Sequence, residues 1–195
     1  MDTMDVRRGT LAVALWPAGG MSRLARDVAL VVLGSVLLTV SAKIQVPFWP
    51  VPMTMHTFAV MIIGAAFGAR LGGATVLAYL AQGAAGIPVF AGGAGLAYLA
   101  GPTGGFLVGF FFAAVLIGWL AERGLDRHLL TAAATFVVGN AVIFALGIGW
   151  LTVLIGFEQA IAGGLLPFIP GELLKIALAV AMLPMAWRAL RHMRG

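Results

Sequence analysis

A chain of 195 residues that is 62% hydrophobic and only 10% charged, with a mean hydropathy of +1.05, has too little polar surface to cover a water-soluble domain. It reads as an all-α integral membrane protein, one unit with room for about six spans of roughly 20 residues each. The lack of cysteine excludes disulfide frameworks, thiolate nucleophiles and cysteine metal sites, and the net charge of +5 has no meaning for partners until it is mapped along the chain.

Residues 1–21 are expected to form a cytoplasmic lead. Asp2, Asp5, Arg7 and Arg8 precede the short apolar run Leu11 to Trp16, which is too short for a span or a signal-peptide core. A single six-helix membrane domain is expected over 22–195. Its first helix starts near Ser22, carries Arg23, Arg26 and Asp27 in its first turns and runs to Ala42, with Lys43 and Gln45 marking its exit. Val46 to Pro52 packs three prolines and two aromatics into seven residues and cannot be regular helix. A second helix follows from about Thr54 to Phe67. Gly68 to Gly73, holding Arg70, is a tight turn into a third that ends near Ala85.

Gly86 to Gly105, with seven glycines and two prolines, is either a long loop folded against the protein or a broken helix lining a cavity. A fourth helix spans about Phe106 to Ala121 and stops at the charged turn Glu122 to His128. A fifth runs from near Leu129 to about Ile155, with a tilt or break expected at Gly147 and Gly149. After a loop through Glu158, Gly163, Gly164 and Pro167, a sixth helix closes the chain.

If both termini face the cytoplasm, ten of the twelve Lys and Arg residues fall on inner segments, and only Lys43 and Lys175 do not. The basic balance is thus topological and not a signal for nucleic acid. All three irregular segments then lie on the outer side. Trp49, Trp119, Trp150 and Trp187 sit close to predicted helix ends, as interfacial aromatics do.

Within this apolar frame the stretch Pro170 to Lys175, Pro-Gly-Glu-Leu-Leu-Lys, stands out. Glu172 and Lys175 are i, i+3 neighbours on one helix face, about 4.5 Å apart along the axis. A charge near a bilayer centre costs roughly 2.5 to 3.5 kcal/mol, so the two need partners or a watery cavity. Pairing with each other or with a neighbouring helix is one answer, and a site for a polar solute is the other. Asn140 falls within a few ångströms of Lys175 in depth, about 17 Å up a core of about 30 Å. It serves as interhelical glue or as a ligand group.

No Gly-x-x-x-x-Gly-Lys-Ser/Thr motif is present, so the chain carries no nucleotide-binding loop of that kind. His56, His128 and His192 are dispersed without a second ligand at metal spacing, and no nucleophile accompanies Glu172 and Lys175. Neither an enzyme nor a cofactor or metal site is expected. On the first helix, Ala25 and Ala29, with Gly34 and Ser35 beyond, form a small-residue stripe that lets another helix approach closely. Packing within the bundle and docking of another membrane protein both account for it.

The run QVPFWPVPMTMHT within Ile44 to Thr57, then GIPVFA at Gly86 to Ala91 with Gly92 and Gly93, GPTGG at Gly101 to Gly105 and PGELLK at Pro170 to Lys175 resemble the BioY family in order and spacing. The resemblance implies a six-helix substrate-capture component of an energy-coupling factor transporter. Such a component binds biotin from outside in a bacterial cytoplasmic (inner) membrane. It joins a transmembrane coupling protein and two ABC-type ATPase subunits, to which ATP hydrolysis is left. It also implies that Ala25 and Ala29 are the docking face for the coupling protein. Glu172 stands where the family usually has aspartate, and His56 where it usually has glutamine.

Biotin offers ureido N–H donors, a ureido carbonyl, an apolar ring and chain, and a carboxylate. Glu172 can accept from the N–H groups, while Lys175 and Asn140 can donate to a carbonyl or carboxylate. Val89, Phe90 and Trp49 can cover the hydrocarbon, and Gly92 and Gly93 let backbone approach it. The rival reading is a proton-coupled secondary transporter of a small carboxylated solute working through Glu172, for which no inverted repeat is visible. Self-association is left open.

Overall fold

In a computed structural model, residues 10–16 and 22–194 are described. The charged residues of the lead, Asp2, Asp5, Arg7 and Arg8, lie outside them. The described residues form eight α-helices, a 3₁₀ turn and one pair of two-residue strands. Five helical stretches are long and apolar enough to cross a membrane: Arg23–Lys43, His56–Ala84, Gly104–Ala121, Leu129–Ile155 and Phe157–Leu190.

Helix α1, Leu11–Leu15, buries Leu11, Ala12 and Ala14 against the bundle, so this part of the lead is a packed element. Helix α2 is Arg23–Lys43, its N-terminus capped by the Ser22 hydroxyl, which accepts from Ala25 N–H at 3.1 Å. It packs chiefly on one neighbour, α3 (His56–Ala84). Gly34 faces Thr75 and Phe67 there, and Ser35 exchanges hydrogen bonds with Gln82 at 2.7 and 3.0 Å. The upper part of the small-residue stripe is therefore internal packing, while Ala25 is exposed and Ala29 half-buried.

Helix α3 is broken by Gly68, whose φ of 83° and ψ of 176° suit glycine alone. The limbs 56–67 and 69–84 fold back on each other. A Cβ on Gly72 would lie 3.3 Å from Gly64 Cα, although eight residues along a straight helix would separate the two by about 12 Å. The expected tight turn is thus a single-residue reversal, with Gly72 and Gly73 already helical. Before α3, β1 (Gln45–Val46) pairs antiparallel with β2 (Met53–Thr54), so the proline-rich stretch is the loop of a short hairpin.

After the glycine-rich segment and the one-turn helix α4 (Leu96–Leu99) comes α5, Gly104–Ala121. It fills the middle of the bundle between α3 and α6 (Leu129–Ile155). Gly64 meets the Ala114 carbonyl and Gly109 meets Ile143 Cα, each about 2.9 Å from where a Cβ would sit. Gly118 lies against the backbone of Gly68 and Ala69. Helix α6 is continuous: the expected break at Gly147 and Gly149 does not occur, because Gly147 is the floor on which the Phe106 ring rests. Gly156, with φ of 86°, ends α6 instead. The segment read as an irregular loop then forms α7, Phe157–Gly164, and a 3₁₀ turn, Leu166–Phe168. Helix α8, Ile169–Arg194, starts with Pro170 in its first turn, where a missing N–H costs nothing. Packing against α6 and α3, it closes the bundle.

Trp187 is not an interfacial aromatic. It is buried, and its indole N–H donates to Asp126 Oδ2 at 2.6 Å.

Candidate functional site

The extra turn at the start of α8 carries Glu172 into the bundle, where it is buried beside the N-terminus of α3. Lys175, one turn on, follows it. The Lys175 ammonium donates to Glu172 Oε1 at 2.7 Å, to the Thr54 carbonyl at 2.6 Å and to Thr57 Oγ1 at 3.1 Å. An ammonium has three N–H donors, and all three are taken. Thr57 in turn donates to Glu172 Oε1 at 3.0 Å, and Asn140 Nδ2 donates to Glu172 Oε2 at 2.9 Å. Three helices and the end of the hairpin thus meet at one carboxylate.

Asn140 Oδ1 is buried and has no hydrogen-bond partner. Its orientation follows from its neighbour, since an ionised carboxylate is acceptor-only and draws the amide N–H₂ toward itself. An unsatisfied acceptor in an apolar interior costs about 1–3 kcal/mol. Asn140 thus bonds to the pocket through Glu172 and keeps an acceptor unsatisfied beside it.

The network forms one end of a pocket between α3, α5, α6 and α8. Six aromatic side chains line it: Phe90, Tyr98, Phe106, Phe110, Phe144 and Phe168. His56 lines it too, held by Tyr79, whose hydroxyl is 2.8 Å from His56 Nε2 and 3.1 Å from the Val89 carbonyl. Phe90 is seated on Gly83, where any side chain would collide with its ring, and stacks on Tyr98 with centroids 5.1 Å apart. Its carbonyl accepts from Lys43 Nζ at 2.6 Å, and the next carbonyl, of Ala91, accepts from Gln45 Nε2 at 3.2 Å.

Of the residues singled out in the sequence, Glu172, Lys175 and Phe90 line this pocket and Asn140 bonds into it. Val89 is buried behind it. Gly92 and Gly93 lie beside it against Tyr98, Gly92 N–H donating to the Tyr98 hydroxyl at 3.3 Å. Trp49 is 75% exposed and is not among the residues that line the pocket. Ala25 and Ala29 are at the far end of α2. Sequence reading left the role of His56 open and did not single out Thr54, Thr57, Tyr98 or the four phenylalanines of α5, α6 and the 3₁₀ turn. The one signal for Thr57 was its three-residue spacing from Thr54 at a helix start.

A second cleft lies between the β1–β2 hairpin and α8 and shares Thr54, Phe168, Glu172 and Lys175 with the pocket. The ion pair therefore lines both the aromatic pocket and the cleft beside it.

A solved structure titled as the S-component for biotin from an ECF-type ABC transporter superposes with a TM-score of 0.75. It covers 87% of this chain and 95% of its own, at 24% identity, which supports the fold. Among relatives, a probable biotin transporter BioY of Pyrococcus horikoshii is 41% identical over 157 residues, covering 80% of this chain and 93% of that protein. A biotin transporter BioY of Rhizobium etli is 38% identical over 157 residues, covering 75% and 83%, and one of Thermotoga maritima is 38% identical over 149 residues, covering 74% and 86%. The BioY family model matches residues 10–192, essentially all that the structure describes, and the chain belongs to the BioY family.

Proposed function

We propose that this protein captures biotin at the outer face of a bacterial cytoplasmic membrane, as the substrate-specific component of an ATP-driven energy-coupling factor transporter. The observation that carries this reading is the buried Glu172 carboxylate, held by Lys175, Thr57 and Asn140, at one end of a pocket lined by six aromatic rings. A cyclic urea supplies what that corner lacks: N–H donors for Asn140 Oδ1 and for the free lone pairs of Glu172. The Phe and Tyr rings take the apolar ring system and chain.

The reading also includes six crossings, with the limbs 56–67 and 69–84 counted separately, and both termini inside. It is supported by the reversal at Gly68 and by the confinement of most Lys and Arg to one end of the bundle. A transmembrane coupling protein and ABC-type ATPases complete the machine. Ala25 and Ala29, at the cytoplasmic end of the peripheral helix α2, are the docking point for the coupling protein.

Equilibrium binding of labelled biotin to the purified chain in detergent tests the reading, with Glu172→Gln and Asn140→Leu alongside. Tight binding by the wild type is expected, weakened about tenfold or more in each variant while helical content is retained. A folded wild type that ignores biotin overturns the proposed ligand.

A further inference from the structure

The polar end of the pocket leaves one requirement of an anionic solute unmet. Glu172 and Lys175 neutralise each other at 2.7 Å, and every N–H of Lys175 already has an acceptor. A carboxylate brought to that end would have to displace one of these bonds. It would also leave the pocket with a net negative charge in a membrane interior, which is costly. The corner is built for N–H donors.

Among the described residues, four charged side chains stand at the pocket end of the bundle: Lys43, Glu158, Glu172 and Lys175. Glu158 is exposed in the first turn of α7 and cannot attract an anion. Lys43 is left. Its ammonium is fixed at 2.6 Å to the carbonyl of Phe90, a pocket-wall residue, and neighbouring Gln45 ties down Ala91, also in the wall. This one bond uses one of three N–H donors, and the side chain is otherwise exposed. Phe90 and Ala91, held by Lys43 and Gln45, line the same pocket as Lys175, so both ammonium groups belong to one chamber. They are also the two basic residues that stood apart from the inner-side pattern in the sequence.

We propose that Lys43 completes the site as the counter-ion of the substrate's carboxylate. The N–H donor end of the solute is held by Asn140 and Glu172, and its acid end meets the free donors of Lys43 at the rim formed by Phe90 and Ala91. With Glu172, Lys175, Lys43 and a monoanion together, the loaded pocket is electrically neutral. This inference rests on the biotin reading above and adds a residue and an orientation to it.

The test compares biotin with its uncharged methyl ester on the wild type, Lys43→Met and Lys43→Arg by equilibrium binding. Lys43→Met is expected to weaken biotin about 10- to 100-fold, the range for a hydrogen bond to a charged group, and the ester by less than about twofold. Lys43→Arg should retain most of the affinity for biotin. Equal weakening of both ligands by Lys43→Met would overturn the proposal and leave Lys43 as a prop for the Phe90 loop. No change for either ligand would overturn it as well. Failure of the biotin reading itself is distinguishable, because the wild type would then bind neither compound.

Discussion

At the scale of single residues, the site is governed by one buried ion pair whose members cannot be removed independently. Taking two charges out of water costs several kcal/mol each, and only their mutual attraction and the bonds from Thr57, Asn140 and the Thr54 carbonyl offset this. Lys175→Met leaves the Glu172 carboxylate uncompensated and is expected to destabilise the chain by about 3–5 kcal/mol. The double variant Glu172→Gln, Lys175→Met should recover most of that loss without recovering biotin binding. Thermal melting in detergent, run beside the binding assay, separates the two effects. Glu172, Lys175 and Asn140 were legible in the sequence because polar groups in apolar helices need a reason. The aromatic wall was not, because a phenylalanine in a membrane helix looks the same whether it faces lipid, core or ligand. Trp49, expected to cover the hydrocarbon, lies 75% exposed in the hairpin loop and does not line the pocket.

At the scale of elements, glycine does two different jobs, and the sequence does not say which. Gly68 and Gly156 take positive φ and reverse or end helices, whereas Gly64, Gly109, Gly118 and Gly147 sit in continuous helix and admit a neighbour. This is why Gly147 suggested a break that the structure lacks, while the turn at Gly68 was correctly foreseen. Gly68→Ala is expected to cost about 1–3 kcal/mol from backbone strain alone. It would also collide with the Glu122 carboxylate that accepts from Ala69 N–H at 2.9 Å. A lowered melting temperature with biotin affinity largely kept is the expected result, since the pocket lies at the other end of the limb 56–67. The helices themselves were legible to within a few residues from hydropathy. Helix α7 was not, being only eight residues long, preceded by Gly156 and ending in Gly163 and Gly164.

At the scale of the whole molecule, the end opposite the pocket is held by a latch in the turn between α5 and α6. Asp126 is buried there, Trp187 of α8 donates to it, and the Arg127 guanidinium lies 4.5 Å from the centre of the Trp187 ring. Burial, the largest influence, raises the Asp126 pKa above its ordinary value, against the Trp187 bond and the Arg127 charge. A folded state that keeps a proton the unfolded chain gives up loses stability as pH rises from the ordinary carboxylate range through the raised value. Asp126→Asn, which preserves an acceptor for Trp187, should remove that part of the pH dependence. Melting temperatures between about pH 4 and pH 8 check this: the variant's advantage over wild type should grow toward the alkaline end.

The limb 56–67 has a further consequence. Its twelve residues span about 18 Å, well short of a hydrocarbon core of about 30 Å, so a solute held at its N-terminus already sits below the membrane surface. What separates it from the opposite side is a short plug in which glycine lets main chain touch main chain. Between these contacts the buried side chains of Leu107, Ile117, Phe136 and Ile143 fill the remaining space, so opening a path through it would break many of them at once. The cheaper way to deliver the cargo is to turn the vessel over rather than to drill through its base.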